Sequence, residues 1–135
     1  MDLRSLTYTS LAQIDLDEHD LERIIYSARV NNALDGLTGF LLFNGQSFMQ
    51  VLEGSKRAVD DVMARIRVDD RHRNILVVDD RPVDGRAFPD WSMGYLRFDG
   101  QVEGARAIDK ALGRDAPEPV RTMLASMAEK LETGA

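Results

Sequence analysis

Cysteine is absent from the 135 residues, which excludes disulfides, thiolate chemistry and cysteine-based metal sites and fits a reducing compartment. Stability must come from packing alone. Histidine is scarce as well: His19 and His72 are the two present, too far apart in sequence to form a metal-ligand spacing, so no metal is expected. No unbroken apolar run reaches membrane-spanning length, and Met1-Asp2-Leu3-Arg4 lacks the basic-then-apolar plan of a secretory signal. The expectation is a cytoplasmic protein without membrane association. Positive charge is in deficit, with 17 Lys and Arg against 23 Asp and Glu, a formal charge of −6 and a pI near 4.9. Such a field repels polyanions, so nucleic acid is not an expected partner, whereas proteins and small molecules are. The chain also has no Gly-x-Ser-x-Gly nucleophile turn, no Gly-x-Gly-x-x-Gly dinucleotide loop, no internal repeat and no flexible linker. What remains is an ordinary composition, 44% hydrophobic and 30% charged, at the size of one domain with one core.

Leu3 to Ser10 alternates and contains Thr7, Tyr8 and Thr9, which predicts a first strand with Leu6 and Tyr8 on one face. A helix follows. Asp15 or Asp17 can cap it, Leu21, Ile24, Ile25 and Ala28 form its apolar stripe, and Asp35-Gly36 ends it. One turn beyond Ala28 the stripe reaches Asn32, so the paired amides Asn31 and Asn32 finish an apolar face. Gly39 to Phe43 reads as a buried strand, and Asn44-Gly45 as a short hairpin turn leading into a strand through Gln50. A second helix from Ser55 to about Val68 turns Val59, Val62, Met63 and Ile66 inward and ends in Arg65, Arg67, Arg71, His72 and Arg73. Ile75-Leu76-Val77-Val78 is a fourth strand. Trp91 to Phe98 is a fifth, expected to place Trp91, Met93 and Tyr95 on one face. The order β-α-β-β-α-β-β predicts an α+β sandwich, a mixed sheet with helices on one side. Two further helices are expected beyond Gly100: Val102 to Leu112, and one starting at Pro117 whose Val120, Met123, Leu124, Met127 and Leu131 repeat at helical spacing. That last stripe covers either the open face of the sheet or a second subunit.

Gln50 is the most informative residue. In Phe48-Met49-Gln50-Val51-Leu52 it shares a strand face with Phe48 and Leu52, and a carboxamide buried there without partners costs about 1–3 kcal/mol. A polar group, from the protein or from a ligand, is therefore expected opposite it.

Taken together these residues resemble the BLUF domains, blue-light sensors that bind FAD. The resemblance rests on Tyr8, Asn31-Asn32, Gly36-Leu37-Thr38-Gly39 and Phe48-x-Gln50-Val51-Leu52-Glu53-Gly54. It continues through Ile66-x-x-Asp69-x-Arg71-His72 and Arg86-x-Phe88-Pro89-x-Trp91-Ser92-Met93-Gly94, and so spans residues 3 to about 98. It implies a ferredoxin-like five-stranded mixed sheet with two helices on one face, and a flavin held between those helices. Residues 1–100 would form the photosensory domain and 101–135 a helical extension packed on it or on a partner. The implied flavin-binding set is Ile24, Ala28, Asn31, Asn32, Phe48, Gln50, Arg65, Ile66, Asp69, Arg71 and His72. Asn31 and Asn32 would bond the pyrimidine edge, while Gln50 would lie beside N5 and O4 with Tyr8 hydrogen-bonded to it. In the family, light drives electron and proton transfer from the tyrosine to the flavin, and the glutamine then rearranges. Absorption shifts slightly to the red. One or other of Trp91 and Met93 packs near the glutamine in the family, and both are implied in the readout. The family often has serine where this chain has Ala28.

Each residue also has a plainer reading. Tyr8 alone is an ordinary core tyrosine, Asn31-Asn32 a helix C-terminal signal, Arg65, Arg71 and His72 a solvated basic helix end, and Trp91 and Met93 core filling. The set as a whole favours a single-domain blue-light photoreceptor, not an enzyme, that binds FAD non-covalently. Because the chain ends soon after its helical extension, it is expected to signal to an effector protein in trans; a homo-oligomer is expected as well. Two other classes stand beside it. A flavin redox enzyme would consume NAD(P)H steadily, and a cofactor-free ferredoxin-like binding module would be colourless after expression with ample flavin.

Overall fold

The computed structural model describes residues 2–13, 17–89, 91–97 and 118–132. Strand β1 is Leu3–Ala12, helix α1 is Glu18–Asp35, β2 is Thr38–Phe43, β3 is Ser47–Ser55, α2 is Lys56–Arg67, β4 is His72–Val83, β5 is Gly94–Arg97 and α3 is Glu118–Glu132. The expected order is observed. The helix predicted over 102–112 lies outside the described residues.

Local chemistry sets the element ends. Asp17 closes the start of α1 in a capping box: its carboxylate accepts from the Asp20 N–H at 2.8 Å while the Asp20 carboxylate accepts from the Asp17 N–H at 3.2 Å. Gly36 ends the helix in the left-handed conformation, φ 70°, its N–H returned to the Asn32 carbonyl. Ser55 caps α2 through the Ala58 N–H. The turn at Asn44-Gly45 is one residue longer than a two-residue hairpin loop. Only Gly45 takes a positive φ, and the Asn44 side chain closes the turn by accepting from the N–H groups of Gln46 and Ser47.

The five strands form one mixed sheet in the order β4-β1-β3-β2-β5, antiparallel except for the β2–β5 pair. Alternation along the strands separates two cores. On one face Leu6, Tyr8, Leu41, Phe43, Phe48 and Leu52 meet Leu21, Ile24, Ile25 and Ala28 of α1 and Val59, Val62, Met63 and Ile66 of α2. On the other face Phe40, Leu42, Met49 and Val51 meet Phe88, and Leu124 and Met127 of α3. Burying each large apolar side chain contributes about 1.5–3 kcal/mol. The stripe on α3 thus covers the second sheet face, at its Leu124 and Met127 positions.

Two strands differ from expectation. β4 is three times the predicted length, His72–Val83; it lies at the edge of the sheet, where alternate residues face water, so its polar half carries no apolar signal. His72 therefore opens a strand and does not end a helix. β5 is shorter than predicted and begins at Gly94, where a Cβ would stand 2.3 Å from the Phe40 ring. Because Trp91 precedes the strand, two-residue alternation does not reach it. Met93, 2% exposed, and Tyr95 belong to the helix-side core, whereas Trp91, 37% exposed, packs instead against Phe40 and Phe88. The expectation that Trp91, Met93 and Tyr95 share one face is thus corrected.

Candidate functional site

Between α1, α2 and the helix side of the sheet lies a cleft of about 160 Å³, comparable with the roughly 150 Å³ of an apolar cavity that admits benzene. It has room for an aromatic ring, not merely for a stray water. Its apolar walls are Ile24 and Ala28 from α1, Val62 and Ile66 from α2, and Leu41 and Phe48 from the sheet floor; Tyr8, Gln50, Asn31, Asn32, Arg65, Asp69, Arg71 and His72 bring polar groups to it. Every residue of the sequence-predicted binding set lines this cleft. Ser27, Leu41 and Val62 line it too and were missed. Their signals were available: Leu41 stands opposite Gln50 in the β2–β3 register, Val62 lies on the predicted α2 stripe, and Ser27 is one helical turn from Asn31. Ser27 also brings a hydroxyl to the wall beside Ala28.

Tyr8 and Gln50 meet because β1 and β3 place them directly opposite one another. The Tyr8 hydroxyl donates to Gln50 Oε1, and Gln50 Nε2 donates to Met93 Sδ at 3.3 Å. Gln50 is 5% exposed, so the polar partner expected from its strand position is a phenol on one side and a thioether on the other. Met93, not Trp91, touches the amide.

Asn32 is buried at the last turn of α1 and its Nδ2 donates to the Ser92 carbonyl at 2.8 Å, while Arg29 Nε donates to the Met93 carbonyl at 3.0 Å. The cleft wall is therefore tied directly to the segment before β5. Arg65 lies at the mouth, half-exposed, paired with Asp35 at 2.9 Å. Below it Arg71 forks onto the Asp69 carboxylate, with contacts of 3.0 and 2.7 Å. His72 Nδ1 lies 2.8 Å from Ser10 Oγ, and its ring sits 6.3 Å from that of Tyr8. Burial alone would raise the Asp69 carboxyl, but the hydrogen bonds and charge of Arg71 outweigh it and hold the group below the usual carboxylate range. Burial lowers His72 despite the opposing charge of Asp69.

Burial, reinforced by the Asp69 carboxylate, raises the Tyr8 phenol far above its ordinary value of 10.0. The phenol is a proton donor throughout the neutral range. The unfolded chain ionises its tyrosines near pH 10 while the fold still holds this proton, so the stability Tyr8 contributes is complete below pH 10 and declines above it. Tyr95 is likewise pushed up, to about 12, chiefly by burial. In an alkaline absorbance titration of the phenolate, Tyr8→Phe should leave the signal below pH 10 unchanged; a Tyr8 step below pH 10 would contradict the environment described.

The donor set fits a flavin. An isoalloxazine ring is flat and apolar at one end, with alternating donors and acceptors at its pyrimidine edge, and side-chain amides match that alternation because each carries both functions. Apolar walls with two adjacent asparagines at one end supply that pattern, and Arg65 and Arg71 place cationic groups at the cleft.

Fold and site together define an α+β domain with a cleft whose lining suits a flavin. A family described as "Sensors of blue-light using FAD" matches residues 3–94, and the chain belongs to that family, the BLUF domains. FAD is the cofactor that defines it. The chain is 37% identical over 92 residues to the photoactivated adenylate cyclase subunit beta of Euglena longa, covering 67% of this chain but 11% of that protein. It is 38% identical to the corresponding subunit of Euglena gracilis, with the same coverage. The chain thus spans about a tenth of the length of these curated relatives. Among solved structures it superposes on BlrB, a BLUF protein in its dark state, with a TM-score of 0.74 at 35% identity, covering 99% of this chain and 98% of that one. A bacterial light-regulated adenylyl cyclase gives a TM-score of 0.70 at 27% identity, covering 97% of this chain and 35% of that one.

Proposed function

We propose that the protein is a blue-light switch in which Tyr8 and Gln50 form the photoactive pair and the Met93 segment carries the change outward. The observation that supports this most is the chain of contacts from the Tyr8 hydroxyl through the Gln50 amide to the Met93 sulfur, which starts at two residues lining a cleft that fits an aromatic ring and leads away from it. FAD, when bound, supplies the blue absorption and, once excited, the oxidising power. The protein's part is positional. Asn31 and Asn32 hold the polar edge of the ring, Ile24, Ile66 and Phe48 exclude water from its faces, and Tyr8 stands ready with a proton that its surroundings keep in place at neutral pH.

Gln50 is suited to switching because an amide exchanges a donor for an acceptor by turning over, without moving net charge. In the arrangement described, its oxygen faces Tyr8 and its nitrogen faces Met93. Turning it over would place the oxygen against sulfur, which offers no donor, and would free the Met93 side chain. A hydrogen bond exchanged in a dry pocket is strong enough to bias the element that carries it. Ser92 and Met93, tied to α1 through Asn32 and Arg29, are that element.

The cyclase activities of the Euglena and bacterial relatives are not carried over, since the match covers only a small part of those proteins. Signalling to a protein partner is the proposed output, supported by the ties that link the Met93 segment to the cleft wall. The test is an absorption spectrum of the purified, FAD-loaded protein before and after blue illumination. A reversible red shift of the flavin band is expected; bleaching of the flavin with turnover of NAD(P)H would indicate redox catalysis instead.

A further inference from the structure

Among the described residues, the photoswitch leaves one buried acid without a role. Glu53 is 1% exposed and lies on β3 three residues beyond Gln50, hence on the opposite face of the sheet. Its carboxylate accepts from the backbone N–H of Ala87 at 2.6 Å and of Phe88 at 2.9 Å, and from Thr38 Oγ1 at 3.1 Å. Arg86 braces the same point: its guanidinium donates to Thr38 Oγ1 at 2.8 Å, to the Glu53 carbonyl at 3.0 Å and to the Gly36 carbonyl at 2.8 Å. A buried carboxylate is costly unless its oxygens are satisfied, and here what satisfies them is chiefly main chain. Glu53 therefore fixes a piece of backbone, and that piece leads straight to the switch. The Trp91 N–H returns to the Phe88 carbonyl at 3.3 Å, and the Trp91 carbonyl accepts from the Gly39 N–H at 3.1 Å. Two residues later Met93 receives the Gln50 amide.

We infer that Glu53, braced by Arg86, is a positioning residue of the switch, holding the backbone at Ala87 and Phe88, to which Trp91 is bonded, so that the Met93 sulfur meets the Gln50 amide. The inference rests on the photoswitch reading above. A thioether is a weak acceptor, so its contact with the amide persists only where the main chain holds the sulfur in place. Asn32 and Arg29 hold the far end of the segment from the cleft side; Glu53 holds the near end from the other face of the sheet. Loosening the near end weakens the preference of Gln50 for its dark orientation without touching the cleft.

The experiment uses the full chain loaded with FAD. Glu53→Gln replaces one acceptor oxygen with an NH2 that opposes a backbone N–H. The variant should keep its flavin and its light-induced shift, while thermal return to the dark state changes at least about threefold, as expected for residues sharing one network. The direction should match that of Met93→Leu, and in a Met93→Leu background Glu53→Gln should add little further change. A merely structural role would lower the melting temperature in both backgrounds and leave the return rate alone; that result, or two effects that simply multiply, overturns the proposal. If Glu53→Gln does not fold, Arg86→Lys, which keeps the charge but loses the planar fork, is read in the same way. If the wild-type protein binds flavin but shows no light-induced shift, the switch reading fails. The positioning claim is then decided in the dark by the methyl resonance of Met93, which must move in Glu53→Gln and would refute the claim by staying put.

Discussion

Tyr8→Phe should bind flavin at wild-type stoichiometry and form no red-shifted state. The ring keeps its place in the helix-side core that it shares with Leu6, Phe48 and Leu52, so apolar burial is conserved and the cleft keeps its shape. Only the hydroxyl is lost, and with it the donor to Gln50 Oε1. Leaving that buried oxygen without its partner costs about 1–3 kcal/mol, so a modest fall in melting temperature accompanies the loss of response. The functional effect is of another order, because phenylalanine has no proton to give and nothing else described within reach of Gln50 Oε1 replaces it. Spectra before and after blue light, together with the flavin-to-protein ratio, separate the two effects. A normal photocycle in this variant would remove Tyr8 from the mechanism.

A polar neighbour for Gln50 was legible because strands obey a period of two and a lone amide on an apolar face announces one; that the neighbour is Tyr8 came from the BLUF resemblance, since the β1–β3 register that sets them opposite one another is not written in either strand alone. The inward faces of α1 and α2 were legible for a similar reason, since their stripes run into Asn32 and Ile66 at regular spacing; that a cleft lies between them was implied by the resemblance. Trp91 was misplaced because the strand was begun at Trp91, three residues before β5 opens at Gly94. Its rings-on-rings contact with Phe40 and Phe88 depends on a loop whose path no periodicity encodes. Glu53 escaped for the opposite reason. Its partners are main-chain N–H groups 34 and 35 positions away in sequence, and a glutamate on a strand ordinarily reads as a solvated residue. The edge position of β4 was equally hidden, because strand order is decided by which neighbour each strand finds and not by its own composition.

Asn32 joins the two halves of the proposal, and its replacement by alanine should therefore have two effects where Asn31→Ala has one. Both amides line the cleft, so both variants should weaken FAD binding, each by about tenfold to a hundredfold if one or two hydrogen bonds worth ~1–3 kcal/mol are lost. Only Asn32 also donates to the Ser92 carbonyl. In Asn32→Ala that carbonyl loses its tie to α1, and the segment bearing Met93 keeps, among the described hydrogen bonds to the helix, that of Arg29 to the Met93 carbonyl. Flavin titration should show weakened binding for both variants. With flavin in excess, so that the cleft is filled in each, dark return should be altered in Asn32→Ala and close to wild type in Asn31→Ala. Equal return rates in the two would mean that the Ser92 tie does not couple the cleft wall to the switch, and that the amides serve the ring alone.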